Sequence, residues 1–141
     1  MSLNPKIWGP HAWIFLHSVT LAYPECPTDK DKENMMYFFD SLKAVLPCFN
    51  CRTNLAMHMN KHPLTDDILN SKKALVNWLV NIHNEVNIMT NKPVMDLHDF
   101  LIMYNKMYSH KESIWNKIMI IIICLILLVS VLVMVYYRKY R

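Results

Sequence analysis

Glycine is almost absent from this chain, with Gly9 alone among 141 residues. Tight β-hairpin turns depend on residues that adopt positive φ, and glycine does so most readily. An architecture built from β-hairpins is therefore disfavoured. The seven prolines instead separate stretches in which apolar residues recur with helical spacing. The sequence predicts an all-α protein.

Periodicity and start and stop signals predict five helices before a long apolar run. They cover residues 10–22, 28–46, 48–61, 71–90 and 97–107. Thr28 is the expected N-cap of the second, because Asp29 and Asp31 stand in its first turn. We expect a four-helix bundle with a short fifth helix, occupying residues 1–108.

Residues 118–137 form a run of 20 positions without a charged side chain. At about 1.5 Å per residue, a helix of this length crosses the ~30 Å hydrocarbon core of a bilayer. A buried core helix is the alternative, but such a helix is seldom apolar on every face. We expect a transmembrane helix, joined to the bundle by a linker at 109–117 and followed by a basic tail at 138–141.

The net charge of +4 belongs to the flanks of this run. Up to residue 113 the chain has 11 Lys+Arg and 11 Asp+Glu, and the remaining bases are Lys117, Arg138, Lys139 and Arg141. This distribution favours a membrane partner and no nucleic acid. The first ten residues lack the layout of a signal peptide, so a tail-anchored, single-pass protein with its bundle on the cytosolic side is expected.

The segment Pro47-Cys48-Phe49-Asn50-Cys51 places two thiols within one helical turn. Such a pair can close a short, reversible disulfide, and a proline before it suggests a helix start, where partial positive charge favours thiolate. Thioredoxin-type chemistry would need a preceding strand, which the chain lacks. An inert structural disulfide is disfavoured in the cytosol.

Zinc binding is the other use of this cysteine pair, because Cys48, Cys51, His58 and His62 resemble a Cys2His2 set. Within one helix, however, His58 lies about 10 Å along the axis from Cys51, whereas Zn–ligand bonds are about 2.0–2.3 Å. We expect no metal site, and we expect His58 and His62 to be exposed polar residues.

Two further helices carry aromatic and polar side chains at i, i+4 spacing. Trp13 and His17 share one face of the first helix, and His83 and Asn87 share one face of the fourth. Each residue alone is equally well explained as an ordinary helix residue. Together they could stack on a flat heteroaromatic ring, with Lys92 beside a diphosphate.

These motifs resemble those of the FAD-dependent Erv/Alr sulfhydryl oxidases over about residues 5–108. The matching segments are Trp8-Gly9-Pro10-x-x-Trp13-x-x-x-His17, Tyr23-Pro24, Pro47-Cys48-x-x-Cys51, Trp78-x-x-x-x-His83-Asn84-x-Val86-Asn87 and Lys92-Pro93. Minimal members of this family from large cytoplasmic DNA viruses are similar in being small and membrane-associated, so the resemblance suggests a viral origin. It departs from many members at Asp96-Leu97, where a cysteine is common, and it has no second CxxC.

The resemblance implies FAD at the mouth of the bundle, usually in a homodimer. By position, Cys51 would face the flavin and Cys48 would receive electrons from the substrate. The FAD site would be lined by Gly9, Trp13, His17, Tyr23, His83, Asn84, Val86, Asn87 and Lys92, with Tyr104 near the adenine end.

The function implied is disulfide formation in a dithiol protein, thioredoxin-like or carrying its own CxxC, with O2 as oxidant and H2O2 as product. The membrane would be that of a host cell or a virion. The alternative is a membrane-anchored helical interaction module with an incidental CxxC. Cys26 is expected to be an incidental loop thiol, with a relay to Cys48 as the competing interpretation.

Overall fold

The computed structural model describes residues 2–139, apart from the side chains of residues 110–113. Tyr140 and Arg141, the end of the predicted basic tail, lie outside the described residues. Within this range the chain forms helices and no β-strand, so the predicted all-α class is confirmed. The helices are α1 (Pro5–Leu21), α2 (Asp29–Val45), α3 (Phe49–Lys61), α4 (Asp66–Leu69), α5 (Lys72–Met89) and α6 (Leu97–Lys139).

The start of α1 differs from the prediction. The helix begins at Pro5, five residues earlier than expected, with Asn4 as its N-cap accepting a 3.0 Å hydrogen bond from the Lys6 N–H. Pro5 stands at the first helical position, where a missing N–H costs nothing. Pro10 therefore lies inside the helix rather than at its start, and the helix continues past it although proline supplies no N–H to the ladder.

The start of α2 is as predicted. The Thr28 hydroxyl accepts from the Asp31 N–H, and the Asp31 carboxylate accepts from the Thr28 N–H at 2.8 Å. This reciprocal capping box satisfies two donors that the first turn would otherwise leave unpaired.

The chain divides into two compact units at Leu97. In the first, α5 packs against α1, α3 and α4, while α2 packs against α3 and α4. Their shared core includes Phe39, Leu69, Leu75, Leu79 and Ile82, each almost fully buried. Because α5 packs against both α1 and α3, it positions the candidate site residues that these helices carry. The short helix α4 was not predicted, because a single turn is too short for a periodic pattern.

The second unit consists of α6, which is continuous from Leu97 to Lys139. The sequence predicts a short helix ending near Met107 and then a polar linker, and that helix end is wrong. Residues 108–117 contain neither glycine nor proline, so nothing in their chemistry stops a helix. The helix is long and apolar enough to cross a membrane, and none of its most apolar window is buried.

Candidate active site

The Cys48–Cys51 disulfide lies at the start of α3. The two sulfurs are bonded, with the Cα atoms 5.1 Å apart. Cys48 is the N-cap of α3, and its sulfur accepts a 3.2 Å hydrogen bond from the Cys51 N–H. The side chain of Cys48 is 6% exposed, whereas Cys51 is half-buried.

Proline determines where α3 begins. Leu46, directly before Pro47, has an extended ψ of 137°, as the steric demand of a following proline requires. This ends α2 at Val45, and Cys48 continues in extended geometry (φ −133°, ψ 123°) before the chain turns into α3. The first cysteine is thus held outside the helix with its sulfur over the first turn.

A cluster of three rings joins α1 to α5. The indole of Trp13 stacks on the imidazole of His83, with centroids 3.9 Å apart and planes 8° from parallel. His17 Nε2 and His83 Nδ1 lie 3.0 Å apart, so one nitrogen donates a hydrogen bond to the other. The structure therefore brings together three of the predicted site residues, Trp13, His17 and His83, of which the two histidines are 66 positions apart in sequence.

Both imidazoles of this cluster are neutral at pH 7. Burial, with the neighbouring His83, lowers the pKa of His17 to about 3. Burial, with the positive charge of Lys92, lowers the pKa of His83 to about 4. A neutral imidazole both donates and accepts hydrogen bonds and stacks on aromatic rings without the cost of burying a charge.

The end of α5 places Lys92 beside this cluster. The Lys92 N–H donates to the Asn87 carbonyl at 2.8 Å, and the Asn91 N–H donates to the Ile88 carbonyl at 3.2 Å. This pair of bonds is a Schellman motif, and Asn91 adopts the left-handed conformation it needs, with φ 55°. The motif turns the chain sharply, so Lys92 stays close enough to affect His83.

Asn84 fastens the following loop to α5. Its amide nitrogen donates to the Met95 carbonyl at 2.7 Å, and its amide oxygen accepts from the Met95 N–H at 3.0 Å. Asn84 thus satisfies both backbone groups of Met95 and restrains the segment that carries Lys92.

Gly9 lies within α1, where a glycine costs about 1 kcal/mol relative to alanine. A Cβ added at Gly9 would meet no atom of the chain within 4 Å. The chain's own packing therefore does not require glycine here, and the open space beside the backbone suits close approach of a bound group.

The other predicted cofactor residues have different surroundings. The Tyr23 hydroxyl donates to the Leu69 carbonyl at 3.0 Å, so this side chain also secures α4 to the core. Val86 is half-buried on α5. Tyr104 belongs to the second unit, where its ring centroid lies 4.5 Å from that of Phe100. Burial raises the pKa of Tyr104 to about 12.

The surroundings of Glu85 were missed by the sequence analysis. Its carboxylate accepts from Lys61 at 2.7 Å and contacts His62 Nε2 at 2.9 Å, joining α5 to the end of α3. His58, expected to be exposed, is 3% exposed, and its Nδ1 lies 3.9 Å from Glu85. That prediction was wrong, because this face of α3 packs on α5. Within the described residues no group of His, Cys, Asp and Glu could hold a metal ion.

Together, the fold and site define an all-α protein with a dithiol at a helix start and a separate cluster of stacked rings across α1 and α5. The model of the Erv1/Alr family matches residues 10–107. The chain belongs to the Erv1/Alr family, so the resemblance stated from the motifs is confirmed.

Individual relatives agree with this assignment. The "Probable FAD-linked sulfhydryl oxidase" of Acanthamoeba polyphaga mimivirus is 41% identical over 111 residues, covering 79% of this chain and 78% of the relative. The FAD-linked sulfhydryl oxidase of African swine fever virus is 28% identical, covering 70% of this chain and 81% of its own. The crystal structure of the FAD binding domain of Erv1 from Saccharomyces cerevisiae is 29% identical, with a TM-score of 0.62, covering 67% of this chain and 87% of its own.

Proposed function

We propose that this protein is a membrane-anchored FAD-linked thiol oxidase that forms disulfides in protein substrates: 2 R–SH + O2 → R–S–S–R + H2O2. Family membership confirms the class of activity and the cofactor expected from the sequence. The observation that carries the proposal is the closed Cys48–Cys51 disulfide at the start of α3. The proposal assigns this disulfide and the rings of α1 and α5 to one site, and the stacked, hydrogen-bonded rings of Trp13, His17 and His83 support the cofactor-binding part of it.

The residues present fit FAD. Trp13, His17 and His83 offer aromatic and neutral imidazole surfaces, Lys92 offers a cation for a diphosphate, and Gly9 leaves open space beside α1. Bound FAD would accept two electrons and pass them to O2, chemistry that thiols perform poorly by themselves. The residues we propose to hold it are Gly9, Trp13, His17, Tyr23, His83, Asn84, Val86, Asn87, Lys92 and Tyr104.

Electrons enter at Cys48 in this proposal. A substrate thiolate bonds to the Cys48 sulfur, the Cys48–Cys51 bond breaks, and Cys51 leaves as a thiolate. A second substrate thiolate then attacks the substrate sulfur of the mixed disulfide and releases Cys48 as a thiolate. The Cys51 N–H and the N-terminus of α3 stabilise negative charge on Cys48, which favours its departure.

The proposed partners are a dithiol protein, O2, a membrane and a second copy of the chain. Exposed apolar side chains on α1 and α2, namely Ile14, Phe15 and Tyr37, support a homodimer. The uncharged run 118–137 of α6 supports a transmembrane helix, and we place the bundle on the cytosolic side of a host or virion membrane. We expect no nucleic-acid partner.

The test is the visible spectrum of the purified protein together with oxygen uptake on a small dithiol. A flavin absorption band and dithiol-dependent oxygen uptake are expected. A colourless protein without oxygen uptake would favour the helical interaction module instead.

A further inference from the structure

Three exposed apolar residues lie near the disulfide in the chain or through one hydrogen bond. Phe49, between the two cysteines, is 70% exposed, and Val45, the last residue of α2, is 65% exposed. Leu3 is 51% exposed, and its N–H donates to the Pro47 carbonyl at 2.8 Å. Val45 and Phe49 are each two residues from Pro47 along the chain, and Leu3 is hydrogen-bonded to Pro47. We call Leu3, Val45 and Phe49 the apolar rim.

The core of the bundle does not explain this exposure. These three exposed residues come from different parts of the first unit, namely the end of α2, the start of α3 and the segment before α1. Pro47 connects the three segments, because it follows the end of α2, precedes the start of α3, and its carbonyl accepts a hydrogen bond from Leu3. Exposed apolar side chains gathered beside a reactive group are typical of an interaction surface.

The charged residues close to the apolar rim in sequence are mostly positive. Residues 2–9 and 40–57 contain Lys6, Lys43 and Arg52 and one acidic residue, Asp40. Lys43 forms an ion pair with Asp40, one turn earlier on α2. The attacking form of a substrate thiol is the thiolate, so positive potential here attracts the reacting species and acidic groups beside it.

The low exposure of Cys48 limits how readily a substrate thiol reaches its sulfur. With 6% of its side chain exposed, it offers little surface to a thiol that collides without orientation. A substrate that binds the rim first would hold its thiolate beside the shielded sulfur and gain the advantage of proximity.

We infer that the apolar rim docks an extended segment of the substrate protein, one in which apolar and acidic residues flank the reacting cysteines. This inference rests on the proposed function and names its substrate class. After docking, the substrate gives two electrons and becomes a disulfide, and the Cys48–Cys51 disulfide becomes a dithiol. The protein's oxidase activity then restores the disulfide.

The test uses four dithiol peptides of equal length with the same Cys-x-x-Cys centre, flanked by Leu or Ser and by Glu or Lys. For the full-length protein in detergent, kcat/KM is expected to be at least tenfold higher for the Leu/Glu peptide than for the Ser/Lys peptide. Raising the salt concentration should weaken the preference for Glu over Lys while retaining that for Leu over Ser, because exposed charges are screened.

Variants of the protein then test whether the apolar rim causes the preference for Leu over Ser. In Leu3→Ser/Val45→Ser, the Leu-over-Ser preference is expected to fall at least fivefold. Met57→Ser is the matched control, since Met57 is 54% exposed on the same helix as Phe49 but about 12 Å further along its axis. It should retain the full preference.

Three outcomes would overturn the inference. They are equal kcat/KM for all four peptides, an unchanged preference in the double variant, and a change in the variant's oligomeric mass without a change in preference. The last would assign the rim to an interface between copies. Turnover of a small dithiol without peptide selectivity would leave the proposed oxidase function standing, whereas no turnover of any dithiol would count against that function.

Discussion

His17 of α1 and His83 of α5 are joined through their ring nitrogens, with Nε2 of the first 3.0 Å from Nδ1 of the second. When both rings are neutral, one proton lies between these two nitrogens and forms the hydrogen bond. A second proton would place positive charge on a buried pair already close to Lys92. The contact therefore depends on pH as well as on packing.

We expect the protein to lose thermal stability as pH falls from about 6.5 towards 4. The pKa values of His17 and His83 are lowered from 6.5 to about 3 and about 4, so in this window the unfolded chain binds protons that the folded chain does not. Stability is therefore highest above pH 6.5, and each such proton contributes a slope of up to about 1.4 kcal/mol per pH unit. Melting temperatures at pH 7.5, 6 and 5 measure the effect.

The variant His83→Asn separates the effect of the His17–His83 pair on the pH profile from that of His58. Burial lowers the pKa of His58 as well. The melting temperature of the variant should vary less with pH than that of the wild type. Parallel pH profiles for the two proteins would show that the pair does not titrate as argued.

Cys48→Ser and Cys51→Ser should each abolish dithiol-dependent oxygen uptake, because either change removes the disulfide that accepts the electrons. Cys26→Ser is the control. Cys26 is exposed and outside this disulfide, so turnover of a small dithiol should be retained. Wild-type rates in either active-site variant would contradict the proposed electron path.

Glu85→Gln should lower the melting temperature more than Glu33→Gln. Glu85 of α5 binds Lys61 and His62 at the end of α3, whereas Glu33 pairs with Lys30 one turn away on the exposed side of α2. Exposed pairs within one helix contribute little to stability. Equal melting temperatures for the two variants would show that the contact between α3 and α5 does not depend on this carboxylate.

Acid titration gives a second measurement at Glu85. The hydrogen bond from Lys61, followed by that with His62, lowers the pKa of Glu85 from 4.5 to about 2. Its contribution to stability is present above pH 4.5 and is lost as pH falls towards 2. The difference in melting temperature between wild type and Glu85→Gln should shrink over this range.

Asn84→Ala should destabilise the fold by about 1–3 kcal/mol, since each of the two bonds to Met95 contributes about 0.5–1.5 kcal/mol net. It should also weaken FAD retention, because the loop carrying Lys92 loses its attachment. Chemical denaturation and flavin absorbance after dialysis measure the two effects. Asn81→Ala, an exposed change on the same helix, is the control and should alter neither.

A protein ending at residue 112 should be soluble and oxidise small dithiols, while the full chain should stay in the membrane pellet after carbonate extraction. The apolar part of α6 is unburied, so removing it takes nothing from the core of the first unit. Release of the full chain by carbonate would argue against a transmembrane helix.

Local chemistry in the sequence determined much of this protein. Four features depend on residues within a few positions of one another. They are the capping box at Thr28, the break between α2 and α3 at Pro47, the end of α5 before Pro93 and the apolar run in α6. The start of α1 and the continuity of α6 were mispredicted. Pro5 rather than Pro10 occupies the first helical position of α1, and polar residues without glycine or proline do not stop a helix.

Only the tertiary structure decided which helix faces meet. Periodicity predicts which residues share a face of α3 with His58. It does not predict that this face packs on Glu85 of α5. Likewise, His17 and His83 are 66 residues apart, and no local rule makes their rings partners. The physical reason is that a helix's own residues determine its hydrophobic face, whereas the neighbour that covers this face is chosen by the packing of the whole core.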